Sequence, residues 1–131
     1  WKFDETSGTS AADSSPGGGP HTATLVNGPT WTSAMDNNGL SFDGSDDHVT
    51  VADNAAWSVS NGKKFTYSAW VYLNVAPGGN WPVIIQGVNG NGSGFQMTGN
   101  NGAMQLVWWD GTTDHLSPAQ SMTTGSWYHV A

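Results

Sequence analysis

The sequence contains no cysteine and no arginine, and it has only three lysines against ten acidic residues. Without cysteine, disulfide frameworks, thiolate zinc sites and cysteine nucleophiles are excluded. The formal net charge of -7 excludes ordinary nucleic-acid binding, because that requires a basic surface. The same charge disfavours anionic membranes, and no apolar run approaches the roughly 20 residues that span a bilayer. We therefore expect no nucleic-acid partner and no membrane insertion.

What the sequence does contain is short segments of alternating polarity. In 65–73 (Phe-Thr-Tyr-Ser-Ala-Trp-Val-Tyr-Leu) every odd position is apolar, while the even positions mix Thr and Ser with Trp and Tyr. A period of two predicts a strand with one core face and one amphipathic face. Asn-Gly and Asp-Gly pairs, which supply the positive φ of tight turns, separate several such runs. The pattern predicts one all-β domain over 1–131, either a sandwich or a barrel.

Four blocks in order resemble a known family. They are Trp1-Lys2-Phe3-Asp4-Glu5 with Ala12-Asp13-Ser14-Ser15, then Leu40 to Val51 (Leu-Ser-Phe-Asp-Gly-Ser-Asp-Asp-His-Val-Thr-Val), then Phe65 to Val71, and finally Gly125 to Ala131 (Gly-Ser-Trp-Tyr-His-Val-Ala). Together they resemble the laminin-G-like, concanavalin A-like lectin/glucanase jelly-roll domains. The resemblance implies an antiparallel β-sandwich of two curved sheets.

The resemblance also implies a location and a boundary. Such modules belong to exported multidomain proteins, so an extracellular or cell-surface location is expected, and the low charge and many polar uncharged residues agree with it. In the family, more strands follow the block that here ends at Ala131. We therefore expect a jelly roll that is incomplete at its C-terminus. Either the parent chain continues or a second chain completes the sandwich by strand addition.

The cluster Asp43-Gly44-Ser45-Asp46-Asp47 is a candidate metal site. Three carboxylates around a glycine supply the oxygen ligands that Ca²⁺ prefers. The family resemblance implies a structural calcium ion held by Asp13 with nearby loop carbonyls, by Asp46 or Asp47, and by an acidic residue beyond Ala131. The alternative is that Asp43 caps a turn and the other carboxylates are solvated.

A second candidate site is the segment that follows two adjacent tryptophans, Trp108 and Trp109. Neighbours on a strand point to opposite faces, so only one of the two can be core. An aromatic plate beside hydroxyl, carboxylate and imidazole groups suits a sugar, whose C–H groups pack on the ring. The alternative is that loops bury both tryptophans. The predicted glycan-binding residues are Trp109, Asp110, Asp114, His115 and Trp81.

The remaining aromatic residues in the family blocks are expected to be structural. Trp1, Trp70 and Trp127 fall on predicted strands, and burial in the sandwich is the preferred interpretation. His129 matches a structural position of the family, so hydrogen bonding in the core is expected for it.

Catalysis is not expected from these residues. Glycoside hydrolysis needs two carboxyl groups facing each other across the bond, but Glu5 is the single glutamate and its neighbour Asp4 points to the opposite face of a strand. The leading hypothesis is a non-catalytic carbohydrate-binding or adhesion module whose partner is a polysaccharide or glycan. Two alternatives stay open: an architectural domain of a surface protein without a small ligand, and part of a polysaccharide-processing enzyme whose catalytic residues lie beyond Ala131.

Overall fold

A computed structural model describes residues 1–16, 19, 21–54, 66–76, 83–88, 94–100, 103–109 and 112–131. These residues form strands and no helix, and every strand pairing is antiparallel. No helix in this part of the chain is long and apolar enough to cross a membrane. The predicted all-β class is confirmed. The strands are β1 Ser10–Ala11, β2 Ala23–Val26, β3 Thr30–Ser33, β4 Asn38–Ser41, β5 His48–Val51, β6 Ala69–Tyr72, β7 Val83–Val88, β8 Gly94–Asn100, β9 Ala103–Trp109, β10 Asp114–Leu116, β11 Gln120–Ser121 and β12 Trp127–Val130.

The first of two compact units spans Trp1–Asp53. Its three-stranded sheet has the order β1-β2-β5, and its second sheet is the hairpin of β3 and β4. The side chains of Ala11, Ala23 and Leu25 are buried, as the alternation of β2 predicts for one face of a strand. Asn27 and Gly28 both have positive φ, at 67° and 115°, which confirms the predicted turn between β2 and β3.

The β3–β4 hairpin depends on close backbone approach. The N–H of Ala34 donates to the carbonyl of Asn37 at 3.0 Å, and Asn37 has a φ of 57°. A Cβ atom at Gly39 would lie 2.8 Å from the Cβ of Ala34, closer than van der Waals contact permits. Glycine is therefore required at this strand position. The indole Nε1 of Trp31 ties the hairpin to the preceding segment by donating to the carbonyl of Gly8 at 2.8 Å.

The second unit spans Asn54–Ala131 and contains two sheets in its described part. The larger has the order β10-β9-β8-β7, and β11 also pairs with β9. Met104 and Val107 of β9 are buried, as is Met122 after β11. The smaller sheet consists of β6 and β12. The predicted strands at Trp70 and Trp127 therefore form, the first only over Ala69–Tyr72 in the described residues, whereas Trp1 lies outside any strand. The expectation of one domain over 1–131 stays a prediction.

Candidate functional site

One face of the β6–β12 pair carries four aromatic rings. The register pairs Trp70 with His129 and Tyr72 with Trp127 directly across the two strands. Directly opposed residues share a face of a sheet, so all four side chains project from the same side. The ring centroids of Trp70 and His129 are 5.0 Å apart, and those of Tyr72 and Trp127 are 5.3 Å apart. We call these four residues the aromatic face and its two pairs the rungs.

The aromatic face is open to solvent. Trp70 is 49% exposed and Tyr72 is 42% exposed, while Trp127 is half-buried and His129 is exposed. The predicted burial of Trp70 is therefore wrong, and so is that of Trp1, which is 40% exposed. The even positions of 66–72 are exposed and the odd positions half-buried, so the amphipathic side of the strand faces water. His129 contacts the ring of Trp70 rather than forming the predicted core hydrogen bond.

Hydrogen bonds around the turn before β12 hold this face in register. The N–H of Gly125 donates to the carbonyl of Leu73 at 3.0 Å, which extends the pairing beyond Tyr72. The hydroxyl oxygen of Tyr128 accepts from the N–H of Thr123 at 2.8 Å and lies 2.9 Å from its Oγ1. These hydrogen bonds to Thr123, first through its side chain and then its backbone, lower the pKa of Tyr128. β12 is thus fixed to its own preceding turn.

The predicted glycan patch lies on the larger sheet at its β10 edge. The register pairs Asp114 with Trp109 and His115 with Trp108, and Asp114 and His115 are exposed. The backbone therefore brings the predicted β9 and β10 residues together. The side chains of Trp108 and Trp109 lie outside the described structure, as do Trp81 and Asp110. Glycan contact by this set stays a prediction.

Ser117 anchors the patch to β9. Its N–H donates to the carbonyl of Leu106 at 2.9 Å, and its Oγ accepts from the N–H of Leu106 at 2.9 Å. The side-chain amide of Gln105 also donates to the carbonyl of Ser117, at 3.1 Å. These bonds continue the pairing of β9 between β10 and β11, so the exposed β10 edge is held in place. The sequence contains no spacing or motif that predicts this role for Ser117.

The acidic loop between β4 and β5 brings three carboxylates together. Asp43, Asp46 and Asp47 each offer one oxygen, and these oxygens lie within 4.8 Å of one another. The N–H of Asp43 donates to Oδ2 of Asp47 at 2.9 Å, and the N–H of Ser45 donates to Oδ1 of Asp43 at 2.8 Å. The alternative prediction, that Asp43 caps a turn, therefore holds for its Oδ1, which accepts from Ser45. Asp43 and Asp46 are exposed and Asp47 is half-buried.

The loop itself is anchored through the backbone of Asp46. Its carbonyl accepts from Nδ2 of Asn27 at 3.1 Å and from Nδ1 of His48 at 2.8 Å. These bonds leave the Asp46 carboxylate with no hydrogen bond to the described residues. Asp46 therefore combines a fixed backbone with a side chain that is free to bind a cation.

Asp13, the third predicted metal ligand, is not one of the clustered residues. Its Oδ1 accepts from the N–H of Ser15 at 3.0 Å, and this bond, together with the Ser15 side chain and His21, lowers the pKa of Asp13. A Cβ atom at Gly19 would collide with the Asp13 carboxylate, so Gly19 itself lies directly against it. Its role in binding a metal stays a prediction.

The described strands, all of them paired antiparallel, place the chain in the all-β class. A model of the Laminin_G_3 family, described as the concanavalin A-like lectin/glucanases superfamily, matches residues 43–131, which is about two thirds of the chain. The chain belongs to this family, and the predicted resemblance and β-sandwich class are confirmed. No curated protein and no solved structure gave a significant match.

Proposed function

We propose that this chain is a non-catalytic module that binds carbohydrate or mediates adhesion. The observation that carries this proposal is the aromatic face, because it exposes about half of a tryptophan and of a tyrosine on a regular strand pair. Membership of a superfamily whose description names lectins supports it. Exposing such rings is costly in water, since a fully buried large apolar side chain gains about 1.5–3 kcal/mol, so a ligand that covers them is favoured.

The chemistry of the face suits a sugar ring. The faces of Trp and Tyr rings pack against the C–H groups of a pyranose, and their N–H and O–H groups stay available at the ring edges. The imidazole of His129 adds a polar group 5.0 Å from the Trp70 ring centre. The predicted patch around Asp114 and His115 offers a second polar surface on the β10 edge.

Glu5 supports the non-catalytic part of the proposal. Its Oε1 accepts from the N–H of Ala12 at 2.9 Å, while Oε2 is buried without a partner among the described residues. This places the one glutamate of the chain in a structural contact near β1. A glycosidase would instead need two carboxyl groups facing each other across a sugar, roughly 5–10 Å apart.

The acidic loop fits a calcium ion by its donor set. Calcium takes six to eight oxygen ligands, and Asp43, Asp46 and Asp47 supply carboxylate oxygens within 4.8 Å of one another. When bound, the ion would neutralise the clustered charge and stiffen the β4–β5 loop. We include a structural calcium ion held by these three residues in the proposal, together with the extracellular or cell-surface location that the family suggests.

The test is affinity electrophoresis of the chain through gels that contain one neutral polysaccharide each, from a panel of glucans, mannans, xylans and galactans. Retardation by at least one polymer is expected. Trp70→Ala should strongly reduce the retardation at a stability cost of only about 0.2–1 kcal/mol, the usual value of a cross-strand pair. Phe42→Ala is the matched control, because Phe42 is 48% exposed but lies in the other unit.

A second pair of variants separates the two surfaces. If Asp114→Ala with His115→Ala removes retardation while Trp70→Ala does not, the site is the β10 patch and the aromatic face is excluded. If no polymer retards the folded chain, the carbohydrate-binding function is wrong and an architectural role becomes the better account.

A further inference from the structure

The two rungs of the aromatic face are separate and repeat along the strands. Trp70 and Tyr72 are two residues apart on β6, as are Trp127 and His129 on β12. A strand rises about 3.2–3.4 Å per residue, so the rungs stand roughly 6.4–6.8 Å apart. That distance exceeds the separation of the two rings within either rung. The face therefore has two separate aromatic positions, one after the other along the strands, rather than one continuous patch.

Within each rung the two rings are not coplanar. The interplanar angle is 53° for Trp70 and His129 and 56° for Tyr72 and Trp127. One flat molecule cannot lie on both rings of a rung at once. In each rung a ligand can instead stack on the face of one ring while the edge of the second ring contacts it from the side. That edge carries a polar atom, such as an imidazole nitrogen or an indole N–H. This is a place for one ring-shaped ligand with polar groups on its rim.

The charge of the surroundings selects among ring-shaped ligands. Neither β6 nor β12 contains Asp, Glu, Lys or Arg. An anionic glycan would therefore find no lysine or arginine on these strands to pair with, and packing its charged groups against the rings would cost free energy of desolvation. A neutral sugar has no charged group that must lose its hydration on such a surface.

We propose that the aromatic face holds two successive units of a neutral glycan chain, one on each rung, with the chain running along the direction of β6 and β12. This inference rests on the proposed carbohydrate-binding function and adds the charge class and the length of the ligand. The hydroxyl of Tyr72, which lies close to Gly125, marks one end of this row of two positions, and the imidazole of His129 marks the other.

The experiment measures binding by isothermal calorimetry with monomers to hexamers of glucose, mannose, xylose and galactose. In the series that binds, affinity should rise roughly tenfold or more from monomer to dimer, the ratio expected when a second subsite contributes about 1.4 kcal/mol. It should then level off at dimers or trimers. Hydroxyethyl cellulose and carboxymethyl cellulose form a neutral and anionic pair on one backbone, and only the neutral polymer should bind where the glucose series does.

The variants test the rungs one at a time. Trp70→Ala and Tyr72→Ala should each remove the advantage of dimer over monomer, whereas Phe42→Ala should keep it. Circular dichroism and amide exchange of β12 confirm that each variant is folded, and Trp70→Phe, which keeps a flat ring, should restore most of the affinity.

The outcomes separate this inference from the function on which it rests. If a polymer is bound but monomers bind as tightly as dimers, or if anionic polymers bind equally well, the two-subsite inference is wrong and the function stands. If light scattering shows that the face instead pairs with a second copy of the chain, the inference is also wrong. If no neutral polymer or oligomer binds, the function itself fails and the inference falls with it.

Discussion

Replacing Asp46 by Asn should change stability in opposite directions with and without calcium. The three clustered carboxylates lie within 4.8 Å of one another, and the Asp46 side chain makes no hydrogen bond to the described residues. The substitution therefore removes charge repulsion and no native bond of the side chain. The backbone anchor of the loop, which uses the carbonyl of Asp46 to hold Asn27 and His48, is unaffected.

The two magnitudes follow from simple electrostatics and linkage. Two unit charges about 4–5 Å apart in water repel by about 1 kcal/mol, and salt screens part of this, so in chelator the variant should gain about 1 kcal/mol in free energy of unfolding. In the unsubstituted chain, calcium at about 100 times its dissociation constant should add about 2.7 kcal/mol. Losing a carboxylate ligand should remove most of that increment.

Calorimetry of both proteins in chelator and in millimolar calcium measures these changes, at roughly 3 °C of melting temperature per kcal/mol for a chain of this size. Asp36→Asn is the matched control, because Asp36 is an exposed aspartate in the β3–β4 turn outside the cluster. It alters net charge equally and should leave the calcium increment intact. Identical melts of the unsubstituted chain in chelator and in calcium would refute the metal site altogether.

Three further predictions concern the scaffold. Gly39→Ala should destabilise the first unit by about 1–2 kcal/mol in urea unfolding, because overpacking costs about 1–3 kcal/mol and the stiffer unfolded chain offsets part of it. Adding Ala34→Gly should restore the lost stability, and an unchanged midpoint for Gly39→Ala alone would contradict the contact. Tyr128→Phe should lower the unfolding midpoint and speed amide exchange at Thr123, which loses its acceptor; protection equal to the unsubstituted chain would argue against this bond. The pKa of Asp13 is lowered in the folded state, so its contribution to stability is present above pH 4 and lost as pH falls below that. The free energy of unfolding should therefore fall less steeply between pH 4 and 2 for Asp13→Asn than for the unsubstituted chain, and parallel curves would exclude the contribution.

The strands were predictable because their signals are local. The alternation of 66–72 appears in the structure as exposed even positions and half-buried odd positions, and the Asn27-Gly28 pair adopts the positive φ expected of a turn. Strand partners were less accessible to prediction. The link that Ser117 makes to Leu106, for example, joins residues eleven apart through a side chain in a segment that resembles an ordinary loop.

The candidate metal site divides in the same way. Asp43, Asp46 and Asp47 are within five residues of one another, so a single kinked loop is enough to bring their oxygens together. Asp13 is separated from them by β1 to β4, and its inclusion depended on the family resemblance alone. Its observed bond is to Ser15, two residues away. Proximity in sequence was therefore the more dependable guide to which carboxylates the fold brings together.

The aromatic face was not predicted, because Trp70 was assigned to the core for its apolar character rather than to the strand face that the period of two gives it. Trp70 and Tyr72 occupy the even positions of their strand together with Thr66 and Ser68, and that pattern already assigns them to the amphipathic side. Treating tryptophan as core by default reversed the assignment, although a large aromatic ring with a polar edge is common at binding surfaces. Pairing of β6 with β12 then places Trp127 and His129 beside them, a juxtaposition that requires long-range strand pairing. Where a strand carries polar and aromatic residues on the same face, the period of two predicts that the aromatic rings are exposed. Such exposed rings are then candidates for binding a ligand.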